Sequence, residues 1–260
     1  MQLDNKVAFI TGAGSGIGKA AALALAKAGA RVAALGRTPD ELQKTVDAIK
    51  HAGGEAMVVQ ADVSKPADME RAAAEVVEAW DRIDIVFANA GINGVWAPIE
   101  ELTPEEWQKT IDINLTGTFL TIKYTAPYLK RRGGAVIVTA SVNGTRIFSN
   151  TGATAYSSTK AAQVAMSKML ALELAPQKVR VNVICPGAIE TEIDDNTEQR
   201  DLDKVRIPAE FPEGSQPLTG GKPGTAAQVG DLVLFLASDA ASHITGTEIW
   251  IDGAESLLRG

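Results

Sequence analysis

The chain has 260 residues, 45% of them hydrophobic and 22% charged, enough apolar material for one large core and too much for a disordered ground state. A formal net charge of -7 argues against a nucleic-acid or anionic-membrane binder and favours a small-molecule partner. The single cysteine, Cys185, excludes an internal disulfide, and His51 and His243 are too far apart for a local metal-ligand spacing, so a reduced, cytoplasmic, metal-free protein is expected.

Read from the start, Met1-Gln2-Leu3-Asp4-Asn5-Lys6 carries charge where a signal peptide would begin its apolar run. Val7-Ala8-Phe9-Ile10 reads as a buried strand and passes into Thr11-Gly12-Ala13-Gly14-Ser15-Gly16-Ile17-Gly18, then into an alanine-rich helix over 16–29. A tight strand-to-helix turn needs residues tolerant of positive φ, and a pyrophosphate approaches backbone only where no Cβ intervenes. The helix N-terminus offers free N–H groups and a positive dipole end to the phosphates. Ile17 or Lys19 stands where G-x-G-x-x-G would require glycine, so the spacing is that of T-G-x-x-x-G-x-G. The stretch Ala20 to Leu35 is cut by Lys27, Gly29 and Arg31 and is not expected to span a membrane.

The second strand, Val32 to Leu35, ends in Gly36-Arg37-Thr38 with no acid before Asp40, which reads as the cap of a helix over 39–52. An acid closing this strand would accept the ribose 2'-hydroxyl of NAD, whereas the Arg37 fork suits the 2'-phosphate of NADP. Ala56 to Val59 is the third strand, ending at Asp62-Val63, with a helix over 66–80 after Ser64. Ile83 to Phe87 is the fourth, ending at Asn89-Ala90-Gly91. A helix over 104–131 follows Thr103 and Pro104 and carries the polar Asn114 in an apolar run, where it needs a buried partner or bonds neighbouring backbone. Val136 to Val138 is the fifth strand, with Ser141 at its carboxyl end, and a helix over 152–175 carries Tyr156 and Lys160. Val179 to Ile184 is the sixth strand, ending at Pro186-Gly187. A helix over 225–237 and a seventh strand, Ile249 to Ile251, complete the chain.

Regular alternation of strands and helices predicts a single-domain α/β fold, a doubly wound parallel seven-stranded sheet with helices on both faces. Residues 190–224, rich in Asp, Glu, Pro and Gly, are too long for an ordinary connection and are expected to form a substrate lid. Between Glu190 and Glu213 nine acidic residues face three basic ones, alongside Ile193, Val205, Ile207 and Phe211. An acidic flap with an apolar underside would disfavour polyanionic substrates, although the charges also serve simply to solvate a loop. Phe119, Leu120, Met166, Met169 and Leu170 exceed what the sheet face needs and suggest an oligomer interface.

Tyr156 and Lys160, four apart on a helix, lie on one face. A cation about 5 Å from the phenol at an effective dielectric of about 20 favours phenolate by roughly 3 kcal/mol, about two pKa units, which brings a tyrosine toward neutral-pH proton transfer. Each strand-end turn taken singly is also what any strand requires. Together, T-G-x-x-x-G-x-G, N-A-G, Ser141, Y-x-x-x-K and P-G stand in the order and spacing of the short-chain dehydrogenase/reductase family, which the whole chain resembles. The resemblance implies hydride transfer between NADP(H) and a carbonyl or secondary alcohol. By it Tyr156 is the general acid/base, Ser141 polarises the carbonyl, Lys160 holds the ribose, and Asn114 holds a water that relays protons. It also implies coenzyme contacts from Gly12, Ser15, Gly16, Ile17, Gly18, Arg37, Thr38, Asp62, Val63, Asn89, Ala90, Gly91, Pro186, Gly187 and Ile189, with Thr191 bonding the nicotinamide carboxamide, and a homotetramer. Ser15 stands where many NADP-dependent relatives place a second basic residue, and Ala88 where many have asparagine. Two alternatives remain: a non-catalytic dinucleotide-binding redox sensor, and a 3-oxoacyl thioester reductase of the same family.

Overall fold

A computed structural model of the protein describes residues 1–191, 197–207 and 214–259. In chain order it places β1 (Val7–Thr11), α1 (Gly16–Lys27), β2 (Arg31–Gly36), α2 (Pro39–His51), β3 (Ala56–Gln60), α3 (Pro66–Trp80) and β4 (Ile85–Ala88). Next come β5 (Gly94–Trp96), α4 (Pro104–Thr110), a π-helical turn Ile111–Thr116, α5 (Gly117–Arg132), β6 (Gly134–Thr139) and α6 (Thr154–Leu174). The chain continues through β7 (Val179–Pro186), β8 (Ile189–Glu190), β9 (Thr197–Gln199), β10 (Gly224–Thr225), α7 (Ala226–Ala237), β11 (Glu248–Ile251) and α8 (Glu255–Arg259).

Seven strands form one parallel sheet in the order β3-β2-β1-β4-β6-β7-β11. Successive side chains of a strand point to opposite faces, so Ala8 and Ile10 pack with Ala21, Leu25 and Val233 on one side, while Val7 and Phe9 pack with Met69, Val76 and Leu129 on the other. Both faces are covered, which is why the strands read as unbroken apolar runs. The strand order turns outward in both directions from β1 and β4, so the connections leaving their carboxyl ends run to opposite faces and leave a crevice between them.

The seven expected strands and six expected helices are present, with four differences in detail. The helix expected over 104–131 is three segments, because the π turn widens it between α4 and α5. Thr103 does cap α4 in a reciprocal box with Glu106, but Asp40 lies inside the first turn of α2, whose N-cap is Thr38. Ser64 donates to Asp62 instead of capping α3, which starts after Lys65. Leu120 is 4% exposed and Leu170 packs against the same core, so of the surplus apolar residues only Phe119, Met169 and the additional Leu172 stand out in solvent.

The described part of the segment after β7 is more than a plain loop. β9 pairs with β5, β10 pairs with β8, and Arg200 forks onto Glu106 at 3.0 and 2.9 Å while also donating to the Glu101 carbonyl at 2.7 Å. Ile207 is 71% exposed and Val205 half-buried, and the described part of this segment is tethered through the charged side chains of Arg200 and Lys204. Ile193 and Phe211 lie outside the described residues.

Candidate active site

At the nucleotide end the glycines are required by space and by backbone. Gly12 has φ +68°, and a Cβ on Gly18 would fall 2.0 Å from the Gly12 carbonyl oxygen. Ser15, extended at the N-cap of α1, makes no side-chain cap, so the first-turn amides are left for a ligand. Ile17 packs on the core beneath this turn. The Thr11 hydroxyl accepts the amides of Asn89 and Ala90 at 3.0 and 3.1 Å. Asn89 in turn donates to the Thr11 carbonyl at 3.2 Å and accepts from Thr139 at 3.1 Å, lashing the ends of β1, β4 and β6 together. Its side chain is therefore committed to holding strands, and the backbone of Asn89-Ala90-Gly91 is what the crevice presents.

Beside this turn a cleft of about 150 Å³ is lined by Gly14, Ser15, Arg37, Thr38, Glu41 and Asp62. Val63 is buried against Gly117 at its back. Burial opposes ionisation of Asp62, yet the hydroxyl and amide of Ser64, with Arg37 and Lys65 nearby, hold its carboxyl below the usual range. Past β7, Gly187 fits against Asp252, where a Cβ would meet the Asp252 side chain at 2.7 Å, and Glu255 accepts the amide of Ala188 at 3.0 Å. Pro186 ends β7, Ile189 opens β8, and Thr191 follows β8 directly. Uncapped amides, a close-approach glycine turn and an adjoining cleft with a guanidinium fit a dinucleotide.

At the opposite side of the crevice the π turn points Asn114 inward, fully buried. Its side chain bonds both backbone groups of Ile92 at 2.9 Å and donates to Thr159 at 3.2 Å, while its carbonyl accepts from Gln163 and Thr118 at 2.7 Å. A Cβ on Gly91 would sit 3.2 Å from Asn114 Oδ1, a tight contact, and 3.7 Å from Lys160 Nζ, so the glycine lies where these two groups converge. Lys160, 3% exposed, donates to the Thr139 carbonyl at 2.8 Å, and its Nζ lies 5.4 Å from the Tyr156 ring centre.

Tyr156, 7% exposed, takes a hydrogen bond from Ser141, whose oxygen accepts the Asn143 amide at 3.1 Å. The Tyr156 pKa is raised, against the lowering expected from Lys160. Burial is the largest influence, and it outweighs the help from Ser141. Burial also lowers Lys160 to about 8, so the lysine is itself a weakened cation. Cys185, beneath Ser141 and Thr145, is pushed up to about 12 by burial and by Glu248.

Sequence reasoning passed over several residues that shape this site. Thr139 anchors both Asn89 and Lys160, and Thr159 links Tyr156 to Asn114. Thr159 sits inside the Y-x-x-x-K motif, where its position was the available signal. Trp96, 6.5 Å from the Tyr156 ring and tilted by 41°, walls the site, with nothing in its local sequence to mark it.

A family model described as Enoyl-(Acyl carrier protein) reductase matches residues 12–254. The chain is 36% identical to a cyclohexanol dehydrogenase of Acinetobacter sp. (strain SE19), over 97% of this chain and 96% of that protein. A solved 3-ketoacyl-ACP reductase from Sinorhizobium meliloti 1021 superposes with a TM-score of 0.95 at 55% identity, covering 97% of this chain and 100% of the other. A 3-ketoacyl-(acyl-carrier-protein) reductase from Brucella melitensis complexed with NADH superposes with a TM-score of 0.85 at 31% identity, covering 97% and 99%.

Proposed function

Because the chain belongs to the short-chain dehydrogenase/reductase family, we propose that it interconverts a small carbonyl compound and its secondary alcohol with NADP(H), using Tyr156, Ser141, Lys160 and Asn114. The observation that carries this is the buried convergence of two linked hydroxyls, Ser141 and Tyr156, with an ammonium 5.4 Å from the phenol ring. Bound in the crevice, the nicotinamide coenzyme supplies or accepts the hydride. In the reducing direction Tyr156 gives its proton to the carbonyl oxygen, and Ser141 donates a hydrogen bond to the same atom. Both donors meet negative charge that grows only as the bond order falls, so they favour the transition state over the neutral ketone. The raised pKa of Tyr156 keeps it protonated and ready to donate. Lys160 holds the ribose hydroxyls, and Asn114, with a lone pair of Oδ1 to spare beside Lys160, holds the relay water.

Arg37 and Thr38 take the 2'-phosphate, and the glycine turn with the amides of α1 takes the pyrophosphate. Asp62 and Val63 border the adenine, while Pro186, Gly187, Ile189 and Thr191 border the nicotinamide. Residues 190–224 serve as the substrate lid in this reading, with 192–196 and 208–213 lying outside the described residues. Phe119 and Met169, exposed on α5 and α6, pair copies into a tetramer working in the cytoplasm. Among the described residues no helix is long and apolar enough to cross a membrane.

A second reading, reduction of 3-oxoacyl thioesters, is favoured by the Sinorhizobium relative's name, whereas nine acids between Glu190 and Glu213 favour a neutral substrate. A purely coenzyme-binding sensor would have little use for the Ser141, Tyr156 and Lys160 cluster. Incubation with NADPH and a panel of neutral ketones and 3-oxoacyl thioesters, followed by coenzyme absorbance, tests all three. Faster turnover of ketones supports the proposal, faster turnover of thioesters the second reading, and coenzyme protection without oxidation the sensor.

A further inference from the structure

The cleft assigned to the adenosine end holds a charged group the coenzyme reading has not used. Gly14 needs no positive φ, yet a Cβ there would sit 2.9 Å from Glu41 Cβ and 3.0 Å from Glu41 Oε2. Glycine at this position is what lets the first turn of α2 lay a carboxylate on the phosphate-binding loop. That carboxylate has no hydrogen-bond or ion-pair partner among the described residues. Arg37 lines the same cleft, and its charge acts on Asp62, which is already engaged by Ser64. Arg37 thus shares the cleft with two carboxylates, Asp62 and Glu41, of which only Glu41 is unengaged among the described residues.

We infer that Glu41 reads the 2' position of the coenzyme ribose in opposition to Arg37. Its carboxylate accepts a 2'-hydroxyl and repels a 2'-phosphate, so the protein uses both NADH and NADPH, and the balance is set by two residues that pull against each other. The inference deepens the coenzyme reading above and rests on the crevice being the coenzyme site.

Dissociation constants of NADPH and NADH, measured by coenzyme fluorescence for wild type, Glu41→Gln, Glu41→Asp, Arg37→Ala and the double variant, test it. One like charge in a partly solvated cleft is worth on the order of fivefold in affinity. Glu41→Gln is therefore expected to tighten NADPH by about fivefold and to weaken NADH by about two- to fivefold, with the NADPH gain shrinking at high salt. Glu41→Asp keeps the charge on a shorter arm and is expected to fall between. An unchanged ratio of the two constants in Glu41→Gln would overturn the inference. Loss of general structure would weaken both coenzymes together and leave the ratio where it was, which also counts against it. Failure of the Arg37 reading is recognised separately, by Arg37→Ala weakening both coenzymes equally while Glu41→Gln still shifts the ratio.

Discussion

Replacing Lys160 with methionine keeps a flexible apolar stem in the same buried slot and removes its charge. Burial brings the Lys160 pKa from 10.5 to about 8. At roughly 1.4 kcal/mol per unit, the charged form therefore costs the folded protein about 3 kcal/mol at pH 7. The Thr139 carbonyl loses its donor in the variant, a penalty of about 1 to 3 kcal/mol. Lys160→Met is thus expected to be inactive and yet as stable as wild type, or up to about 2 kcal/mol more stable, at pH 7. The folded pKa lies below the unfolded one, so the unfolded chain holds more protons between about pH 8 and 10.5 and wild-type stability rises through that window. The variant lacks this rise, and its advantage should shrink by about 1.4 kcal/mol from pH 7 to pH 9. Cys185 is raised to about 12 by burial, and losing Lys160, which pulls it down, would raise it further, so the folded thiol stays protonated at pH 9 in both proteins and adds little to the difference. Urea titrations at the two pH values give the comparison. A variant more than about 1 kcal/mol less stable at pH 7, or a gap that ignores pH, would refute the reasoning.

Five further outcomes are expected. Tyr156→Phe should abolish turnover while leaving coenzyme affinity within a few fold, by steady-state kinetics and fluorescence titration, because the ring still packs and only the proton donor is gone. Arg37→Ala should raise the Michaelis constant for NADPH by roughly 10- to 150-fold and leave that for NADH nearly unchanged, the range of a charge-assisted contact of about 1.5 to 3 kcal/mol; wild-type preference for NADH would defeat it. Arg200→Ala, which frees β9 from Glu106, should raise the Michaelis constant for the carbonyl substrate more than that for the coenzyme. The Glu106 carboxyl is held near 2, mainly by Arg200, so in wild type this tether should persist until the pH drops from about 4.5 toward 2, with no change in that constant between pH 7 and 5.5. Light scattering at micromolar concentration should give a multiple of the monomer mass, and a monomer would remove the interface role from Phe119 and Met169.

The parallel sheet was legible because strands such as β1 and β6 are buried on both faces and read as unbroken apolar runs, each followed by a turn. The glycine turn and the Tyr156 and Lys160 spacing were legible for the same reason, being local. What escaped depends on neighbours remote in the chain. Asn89 is engaged by Thr11 and Thr139, 78 and 50 residues away, and no local pattern announces that. β5 and β9 are three residues each, too short for a period of two to register. Spacing put a cation near Tyr156 but carried no measure of how dry the site is, and dryness decides the direction of the pKa. The wide turn at 111–116 hides in a helical pattern because one extra residue barely changes the apolar periodicity.

That wide turn makes residue number, more than residue type, the guarded quantity in the stretch from Thr103 to Gly133. An α-helix advances about 100° per residue, so deleting a single residue within Ile111–Thr116 and restoring normal pitch would rotate everything on one side by that angle relative to the other. Thr103 with Glu106 fixes the upstream end to Arg200, and the buried Leu120, Ile122 and Leu129 fix the downstream end to the sheet, so neither side is free to follow. The misfit would fall on Asn114, between them. Length variation in relatives of this protein should accordingly gather in the connections outside this span, and single-residue gaps should be absent from within it.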